Sequence, residues 1–156
     1  MSIRIGIGYD IHRLRKGEGV RLGGILIPDK LKLIGHSDAD VLIHAICDAL
    51  LGAIGAGDMG IYFPDTDPQF RRRESSWFLK EVIRKVHKQG FRVTQIDSIV
   101  IAQAPRLSDY RDEMKKNLAG LVKAPLNSIN VKAKTNEGLD AIGNSRAIAS
   151  WAVALI

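Results

Sequence analysis

The sequence predicts a single α+β domain over residues 1–156, built on one mixed sheet with helices packed on one of its faces. Three observations favour this class. A chain of 156 residues suits one domain. Strand-like and helical segments follow one another in a mixed order, and no repeat, linker or low-complexity tract separates them. The hydrophobic fraction of 46% is enough for a core.

The first predicted strand covers residues 3–12, where side chains alternate between two faces. The glycine face, with Gly6 and Gly8, is expected to let another backbone, a subunit or a ligand approach closely. The other face is apolar and is expected to enter the core; it holds Ile5, Ile7, Tyr9 and Ile11. A second strand is predicted over residues 20–27, interrupted by two glycines and ended by Pro28.

The clearest helix is predicted over residues 38–54, where apolar residues recur at helical spacing. Ser37 or Asp38 is expected to cap its start, and Gly55 or Gly57 to end it. The later segments are a turn-rich stretch at 58–68, helices at 75–89 and 108–123, and strands at 93–102 and 129–135. The pattern of residues 147–155 fits a helix and a strand equally well.

Composition and charge exclude several classes of protein. No apolar run approaches the roughly 18 residues of a membrane-spanning helix, so we expect no membrane association. The net charge of +6 suits a phosphorylated small substrate, but basic and aromatic residues do not interleave, so we expect no nucleic-acid binding. The single cysteine fits a reducing compartment. Because an apolar pattern begins at Met1, we expect a cytoplasmic protein, with a processed plastid protein as the open alternative.

One carboxylate and two imidazoles form the strongest functional signal. Asp10 and His12 are two residues apart on a strand, so both side chains leave the same face. His44 lies in the predicted helix, at the rim of its apolar stripe. Three such ligands leave the fourth position of a zinc ion open, which suits catalysis. Asp40 or Asp48 is a candidate to orient His44 through its other ring nitrogen, although a capping or surface role fits these aspartates equally well.

Weaker signals lie elsewhere in the chain. Glu137 follows a predicted strand end and offers the hard oxygen ligand that Mg²⁺ or Mn²⁺ uses when it bridges phosphates. In isolation, an ordinary surface glutamate is the better interpretation. Cys47 is better explained as a small buried residue than as a zinc ligand. Residues 102–106 close a strand with a proline, which can expose backbone groups to a nucleotide base.

Taken jointly, these motifs resemble the 2-C-methyl-D-erythritol 2,4-cyclodiphosphate synthase family. The resemblance runs from about residue 4 to residue 155, nearly the whole chain. Its specific blocks are Gly-Tyr-Asp-Ile-His at 8–12, residues 35–57, residues 63–68 and Asn-Val-Lys-Ala at 130–133. The resemblance implies an α+β subunit that assembles as a homotrimer, with active sites between neighbouring subunits.

The resemblance also implies cofactors and substrate contacts. The implied metal ligands are those singled out above: Asp10, His12 and His44 for Zn²⁺, and Glu137 for Mg²⁺ or Mn²⁺ with the diphosphate. His36 and Thr135 match catalytic positions that steady the phosphates in the transition state. A larger set is implied to contact the rest of the substrate: Ser37, Asp58, Gly60, Phe63, Asp65, Asp67, Ala102, Ala104, Pro105, Arg106, Leu107, Ala133 and Lys134.

The implied reaction is intramolecular. The 2-phosphate of 4-diphosphocytidyl-2-C-methyl-D-erythritol 2-phosphate attacks the β-phosphate of its own cytidine diphosphate group, and CMP leaves. The residues alone leave two alternatives open: a zinc-dependent phosphohydrolase that activates water, and a metal- and nucleotide-binding module without turnover. Where family members often carry an arginine in the central trimer cavity, this chain has Asn144, so we expect weak or no binding of farnesyl diphosphate.

Overall fold

Seven strands and five α-helices are found in residues 3–156, the part of the chain that the structure, a computed structural model, describes. The strands are β1 (Ile5–Lys16), β2 (Val20–Leu22), β3 (Ile25–Ile27), β4 (Leu31–Ile34), β5 (Gln95–Ile101), β6 (Ile129–Lys134) and β7 (Ala147–Leu155). The α-helices are α1 (Val41–Ala53), α2 (Met59–Tyr62), α3 (Ser75–Lys88), α4 (Arg111–Val122) and α5 (Asp140–Gly143). Short 3-10 helices cover Pro68–Phe70, Ser108–Tyr110 and Leu126–Ser128.

Five of the strands form one mixed sheet in the order β4-β1-β7-β5-β6, while β2 and β3 form a separate hairpin. β7 pairs antiparallel with both β1 and β5, and β6 pairs parallel with β5. Residues 147–155, whose pattern fitted a helix and a strand equally well, therefore form the central strand of this sheet. This mixed sheet with its helices confirms the predicted α+β class.

The glycine face of β1 lies against α1, which confirms the expected close approach of another backbone. A Cβ atom on Gly6 would stand 1.9 Å from the carbonyl oxygen of Ala49, and one on Gly8 would stand 1.9 Å from that of Ala45. Only glycine at these two positions lets the helix backbone come so near to the strand. Ten of the thirteen residues of α1 are buried.

The prediction for the opposite face of β1 was wrong. Its apolar side chains were expected in the core, but Ile5 is 69% exposed and Ile7 is 64% exposed. Because α1 occupies the glycine side, no element within residues 3–156 covers this side of β1, and β7 adds two further exposed residues to it. We call this surface the open sheet face; it comprises Ile5, Ile7, Tyr9, Ile11, Trp151 and Val153.

The cap of α1 is Asp40, not the predicted Ser37 or Asp38. Asp40 is fully buried. Three backbone N–H groups donate to its carboxylate: those of Gly23 (3.0 Å), Gly24 (2.7 Å) and Ile43 (3.0 Å). The carboxylate therefore joins the turn between β2 and β3 to the first turn of the helix, which local capping patterns do not reveal.

The remaining elements largely follow the prediction. The helix expected at 75–89 is α3, and the strands expected at 93–102 and 129–135 are β5 and β6. The helix expected at 108–123 begins as a 3-10 helix and continues as α4. β4, α2 and α5 were not predicted, because four residues are too few for a periodic pattern. Within residues 3–156, no helix is long and apolar enough to cross a membrane.

Candidate active site

β1 and α1 bring the three predicted metal ligands together. The Oδ2 atom of Asp10 lies 3.0 Å from Nε2 of His12 and 2.9 Å from Nδ1 of His44. The two ring nitrogens are 3.3 Å apart. Among residues 3–156, this is the one group of three histidine, cysteine or acidic side chains close enough to hold a metal ion. We call Asp10, His12 and His44 the metal triad.

The charges within the metal triad depend on one another. Burial alone would raise the pKa of Asp10, but hydrogen bonds and charge interactions with His12 and His44 outweigh burial and hold this pKa well below its ordinary range. Burial also disfavours the charged form of His44, yet the hydrogen bond and charge of Asp10 outweigh it, so the pKa of His44 is raised. Asp10 is therefore ionised at neutral pH, as a metal ligand must be.

Hydroxyl groups hold the ring nitrogen of His44 that faces away from the rest of the triad. Its Nε2 atom lies 2.8 Å from Oγ of Ser75 and 3.2 Å from Oγ of Ser37. The hydroxyl of Ser75 donates to the carboxylate of Asp38, which also accepts a 3.0 Å hydrogen bond from the backbone N–H of Ser75. The second nitrogen of His44 is thus tied to the start of α3.

Neither of the two candidate aspartates orients His44, and Asp40 instead has the capping role that was the open alternative. The carboxylate oxygens of Asp40 accept hydrogen bonds from the first turn of α1 and from the turn between β2 and β3. Asp48 accepts a 2.8 Å hydrogen bond from the backbone N–H of Met59, and burial raises its pKa. Their spacing along α1 places both aspartates near the histidine, but their carboxylates bind backbone N–H groups instead. Cys47 is fully buried and is not part of the metal triad, as expected.

The metal triad lines a cavity of about 350 Å³, which we call the metal cavity. Four of the predicted phosphate and substrate residues also line it: His36, Ser37, Phe63 and Asp65. The Nε2 atom of His36 is buried and has no hydrogen-bond partner among residues 3–156. An imidazole nitrogen that has no partner in the protein is available for a hydrogen bond with an oxygen atom of a ligand. Phe63, Phe70 and Phe78 pack against one another as its apolar wall.

A second hollow, of about 290 Å³, holds most of the other predicted substrate residues. β5 and β6 are parallel, so their carboxyl ends lie at the same edge of the sheet. The residues at and after these two strand ends form the hollow. We call it the strand-end hollow; the predicted residues that line it are Ala102, Pro105, Arg106, Leu107, Ala133, Lys134 and Thr135. Within one chain, it shares no lining residue with the metal cavity.

Five predicted site residues line neither hollow. Asp58 and Asp67 cap α2 and the 3-10 helix that follows it. Gly60 lies within α2, and Ala104 lies in the bend after β5. Glu137 is exposed on the turn after β6, where its Oε1 atom is 3.5 Å from the hydroxyl of the threonine two residues earlier. It lies outside the metal triad.

Sequence reasoning assigned no role at the site to Gly35, Asp38 or Ser75. A Cβ atom on Gly35 would stand 2.9 Å from Cε1 of His12, so glycine makes room for this ring. Asp38 was considered only as a helix cap. Ser75 stands at the start of a helix, where serine is common for reasons of capping, so no pattern pointed to its contact with the site.

Comparison with known proteins gives one consistent result. Residues 3–156 match the YgbB family. The 2-C-methyl-D-erythritol 2,4-cyclodiphosphate synthase of Desulfosudis oleivorans is 51% identical over 99% of this chain and 92% of its own length. The IspF–CDP complex of Plasmodium falciparum has a TM-score of 0.86 and 35% identity over 98% of this chain and 94% of its own. The bifunctional IspDF of Campylobacter jejuni has a TM-score of 0.94 and 38% identity over 99% of this chain and 42% of its own. This chain therefore belongs to the family of 2-C-methyl-D-erythritol 2,4-cyclodiphosphate synthases.

Proposed function

We propose that the protein converts 4-diphosphocytidyl-2-C-methyl-D-erythritol 2-phosphate to 2-C-methyl-D-erythritol 2,4-cyclodiphosphate and releases CMP. The observation that carries this proposal is the metal triad, which lines a cavity beside the unpaired ring nitrogen of His36, in a chain of this family. The CDP bound to the relative from Plasmodium falciparum supports a cytidine nucleotide as one end of the substrate.

The metal triad fits a zinc ion. Ligand atoms that lie 2.0–2.1 Å from a tetrahedral zinc ion stand about 3.3 Å from one another. The three separations among the ligand atoms of the triad are 2.9, 3.0 and 3.3 Å. Two imidazole nitrogens and one carboxylate oxygen are typical zinc donors and leave a fourth position for substrate. When bound, the ion supplies positive charge that polarises a phosphate oxygen and offsets repulsion between phosphates.

We assign the second cation, Mg²⁺ or Mn²⁺, to Glu137. Its carboxylate is exposed on the turn after β6, next to Thr135 of the strand-end hollow. Mg²⁺ is commonly held by one or two carboxylates together with substrate phosphates and water, so a single exposed glutamate is sufficient protein ligation. In this assignment, Glu137 would hold the cation and the cation would supply positive charge to the diphosphate, while Thr135 would donate a hydrogen bond to it.

The rest of the substrate is assigned to the two hollows and their rims. The strand-end hollow is proposed to hold the cytidine, with Lys134 supplying positive charge near the α-phosphate; its proposed contacts are Ala102, Ala104, Pro105, Arg106, Leu107 and Ala133. Asp58 and Gly60, at the start of α2, are proposed to contact the ribose. Ser37 and the segment with Phe63, Asp65 and Asp67 are proposed to cover the methylerythritol in the metal cavity.

We further propose a homotrimer in which each active site is completed by a neighbouring subunit. Two observations support it. The open sheet face exposes large apolar side chains, and burial of one such fully exposed side chain contributes about 1.5–3 kcal/mol. The metal cavity and the strand-end hollow are also separate within one chain, whereas the substrate needs its cytidine and phosphate ends bound together. Joining the metal cavity of one copy to the strand-end hollow of the next would satisfy both conditions.

The proposed reaction is a phosphoryl transfer within one molecule. An oxygen of the 2-phosphate bonds to the β-phosphorus, the bond from this phosphorus to the bridging oxygen breaks, and CMP leaves with that oxygen and its electron pair. His36 and Thr135 donate hydrogen bonds to the phosphate oxygens on which charge develops. The walls of the two hollows hold both phosphates in line, which removes most of the entropic cost of bringing them together. No side chain forms a covalent bond to the substrate.

Phosphorus NMR of the substrate incubated with the protein, zinc and magnesium tests this function. We expect the signals of CMP and a pair of doublets from the cyclic diphosphate. Free phosphate would instead favour a zinc-dependent phosphohydrolase, and an unchanged spectrum from folded, zinc-loaded protein would favour a binding module. His44→Ala is expected to abolish turnover, because it removes one of three metal ligands; turnover in metal-depleted buffer would refute the metal's role.

Sedimentation velocity ultracentrifugation tests the proposed assembly. We expect a particle of three times the 17.1 kDa chain mass. Ile7→Lys places a charge on the open sheet face and is expected to shift the protein to monomers with little activity. Leu126→Lys is the matched control, because Leu126 is 46% exposed but lies outside that face. A wild-type monomer with full activity would contradict the trimer.

A further inference from the structure

We propose that Ser75 is a positioning residue for the metal triad. Its hydroxyl, held by Asp38, fixes the ring of His44 with its proton on Nε2 and the lone pair of Nδ1 directed toward the metal. This inference rests on the proposed zinc site and assigns a role to a residue that does not itself touch the metal or the substrate.

The direction of the hydrogen bonds determines the tautomer of His44. The carboxylate of Asp38 accepts hydrogen bonds from both the N–H and the hydroxyl of Ser75. A serine hydroxyl has one proton, and this proton is directed toward Asp38. Toward His44 the serine oxygen therefore presents a lone pair, so Nε2, at 2.8 Å, must be the donor. In the metal-free protein, Nδ1 lies 2.9 Å from Oδ2 of the ionised Asp10 and therefore also carries a proton. When a metal binds, Nδ1 gives up this proton and Nε2 keeps its own, so the bound imidazole is the neutral form with its proton on Nε2.

The position of Ser75 suits this role better than that of Ser37. Ser75 is fully buried at the first residue of α3, so no water can easily replace its hydroxyl. Ser37 lies farther from Nε2, at 3.2 Å, and its oxygen already accepts a hydrogen bond from the backbone N–H of Ala39. α3 also supplies Phe78, whose ring packs against His44 with its centroid at 6.4 Å. The start of α3 thus fixes both the tilt of the imidazole and its tautomer.

Loss of this hydroxyl is expected to weaken metal binding. Ser75→Ala removes the acceptor for Nε2–H and frees the ring to rotate or to exchange tautomers. Outer hydrogen-bond partners of metal histidines typically contribute 10–100-fold in metal affinity, so we expect zinc affinity to fall by about this factor. Ser75→Thr keeps the hydroxyl and should restore most of the affinity. Ser76→Ala is the control, because within residues 3–156 the hydroxyl of Ser76 hydrogen-bonds to Glu74, two residues earlier, and not to the metal triad.

Two measurements test the inference. The first is zinc affinity of the metal-free variants, measured by competition with a chromophoric chelator after circular dichroism has shown that each is folded. The second is nitrogen NMR of the zinc-loaded wild type, in which Nε2 of His44 should carry a slowly exchanging proton that becomes fast-exchanging in Ser75→Ala. Wild-type affinity in folded Ser75→Ala, or an unprotonated Nε2 in the wild type, would overturn the role of Ser75. Failure of the wild type itself to bind zinc would instead overturn the proposed metal site.

Discussion

Replacement of Asp40 by alanine is expected to destabilise the fold by about 2–5 kcal/mol. The carboxylate accepts hydrogen bonds from the backbone N–H groups of Gly23 and Ile43, which are buried, and of Gly24, which is partly buried. A buried N–H group left without a partner costs about 1–3 kcal/mol, so the first two give about 2–6 kcal/mol. Burial of Asp40 raises its pKa, which shows that its charge is costly inside the protein, and removal of this cost offsets part of the loss.

This loss is measured by urea unfolding, followed by circular dichroism at one fixed protein concentration. Fixed concentration matters because association would contribute to the apparent free energy of unfolding. Asp58→Ala is the matched control, since Asp58 also caps a helix through its carboxylate but is exposed, and water can replace it. We expect the control to lose at most about 1 kcal/mol. Equal, small losses for both variants would show that Asp40 does not hold the β2–β3 turn on α1.

Two further predictions concern the metal triad, and a third concerns Asn144. Gly35→Ala is expected to lower zinc affinity, because its Cβ atom would stand 2.9 Å from Cε1 of His12 and push the ring away; wild-type zinc affinity by chelator competition would contradict this. Because Asp10 raises the pKa of His44, protons compete with zinc until the pH exceeds this raised value, so zinc affinity should rise with pH and then level off. A flat profile between about pH 6 and 8 would argue against His44 as a ligand. Farnesyl diphosphate is expected to bind weakly or not at all, since Asn144 is neutral and its amide donates a 2.6 Å hydrogen bond to the carbonyl of Asp140; nanomolar affinity by calorimetry would refute this.

The metal triad could be predicted from the sequence because its geometry is mostly local. Side chains two residues apart on a strand share a face, so Asp10 and His12 had to point the same way. The sequence also predicts that His44 lies near Asp10 and His12, since glycines on that face allow α1 to lie directly against β1. The hydrogen bond between Ser75 and His44 could not be predicted in this way. The packing of α3 against α1 brings the two residues together, and no local pattern in the sequence encodes that packing.

The wrong prediction for the apolar face of β1 has a general cause. Hydrophobicity alone favours the core for the apolar side of β1, but the glycines on its other side allow a helix to lie closer there. The closeness of backbone packing decided which face is buried in one chain, and Ile5 and Ile7 were left on the surface. The trimer, the cytoplasmic location, the absence of nucleic-acid binding and the substrate role of each residue stay predictions.

The place of β7 in the sheet has a consequence for synthesis of the protein. β7 follows the other strands of residues 3–156 in the sequence, yet it lies between β1 and β5, and Ile5 pairs with Leu155, 150 positions later. While the ribosome is still translating, the β1–β4 and β5–β6 pairs remain unjoined, and each leaves an open strand edge that can pair with other chains. The sheet is completed late, when residues 147–155 leave the ribosome and pair with the open edges of β1 and β5.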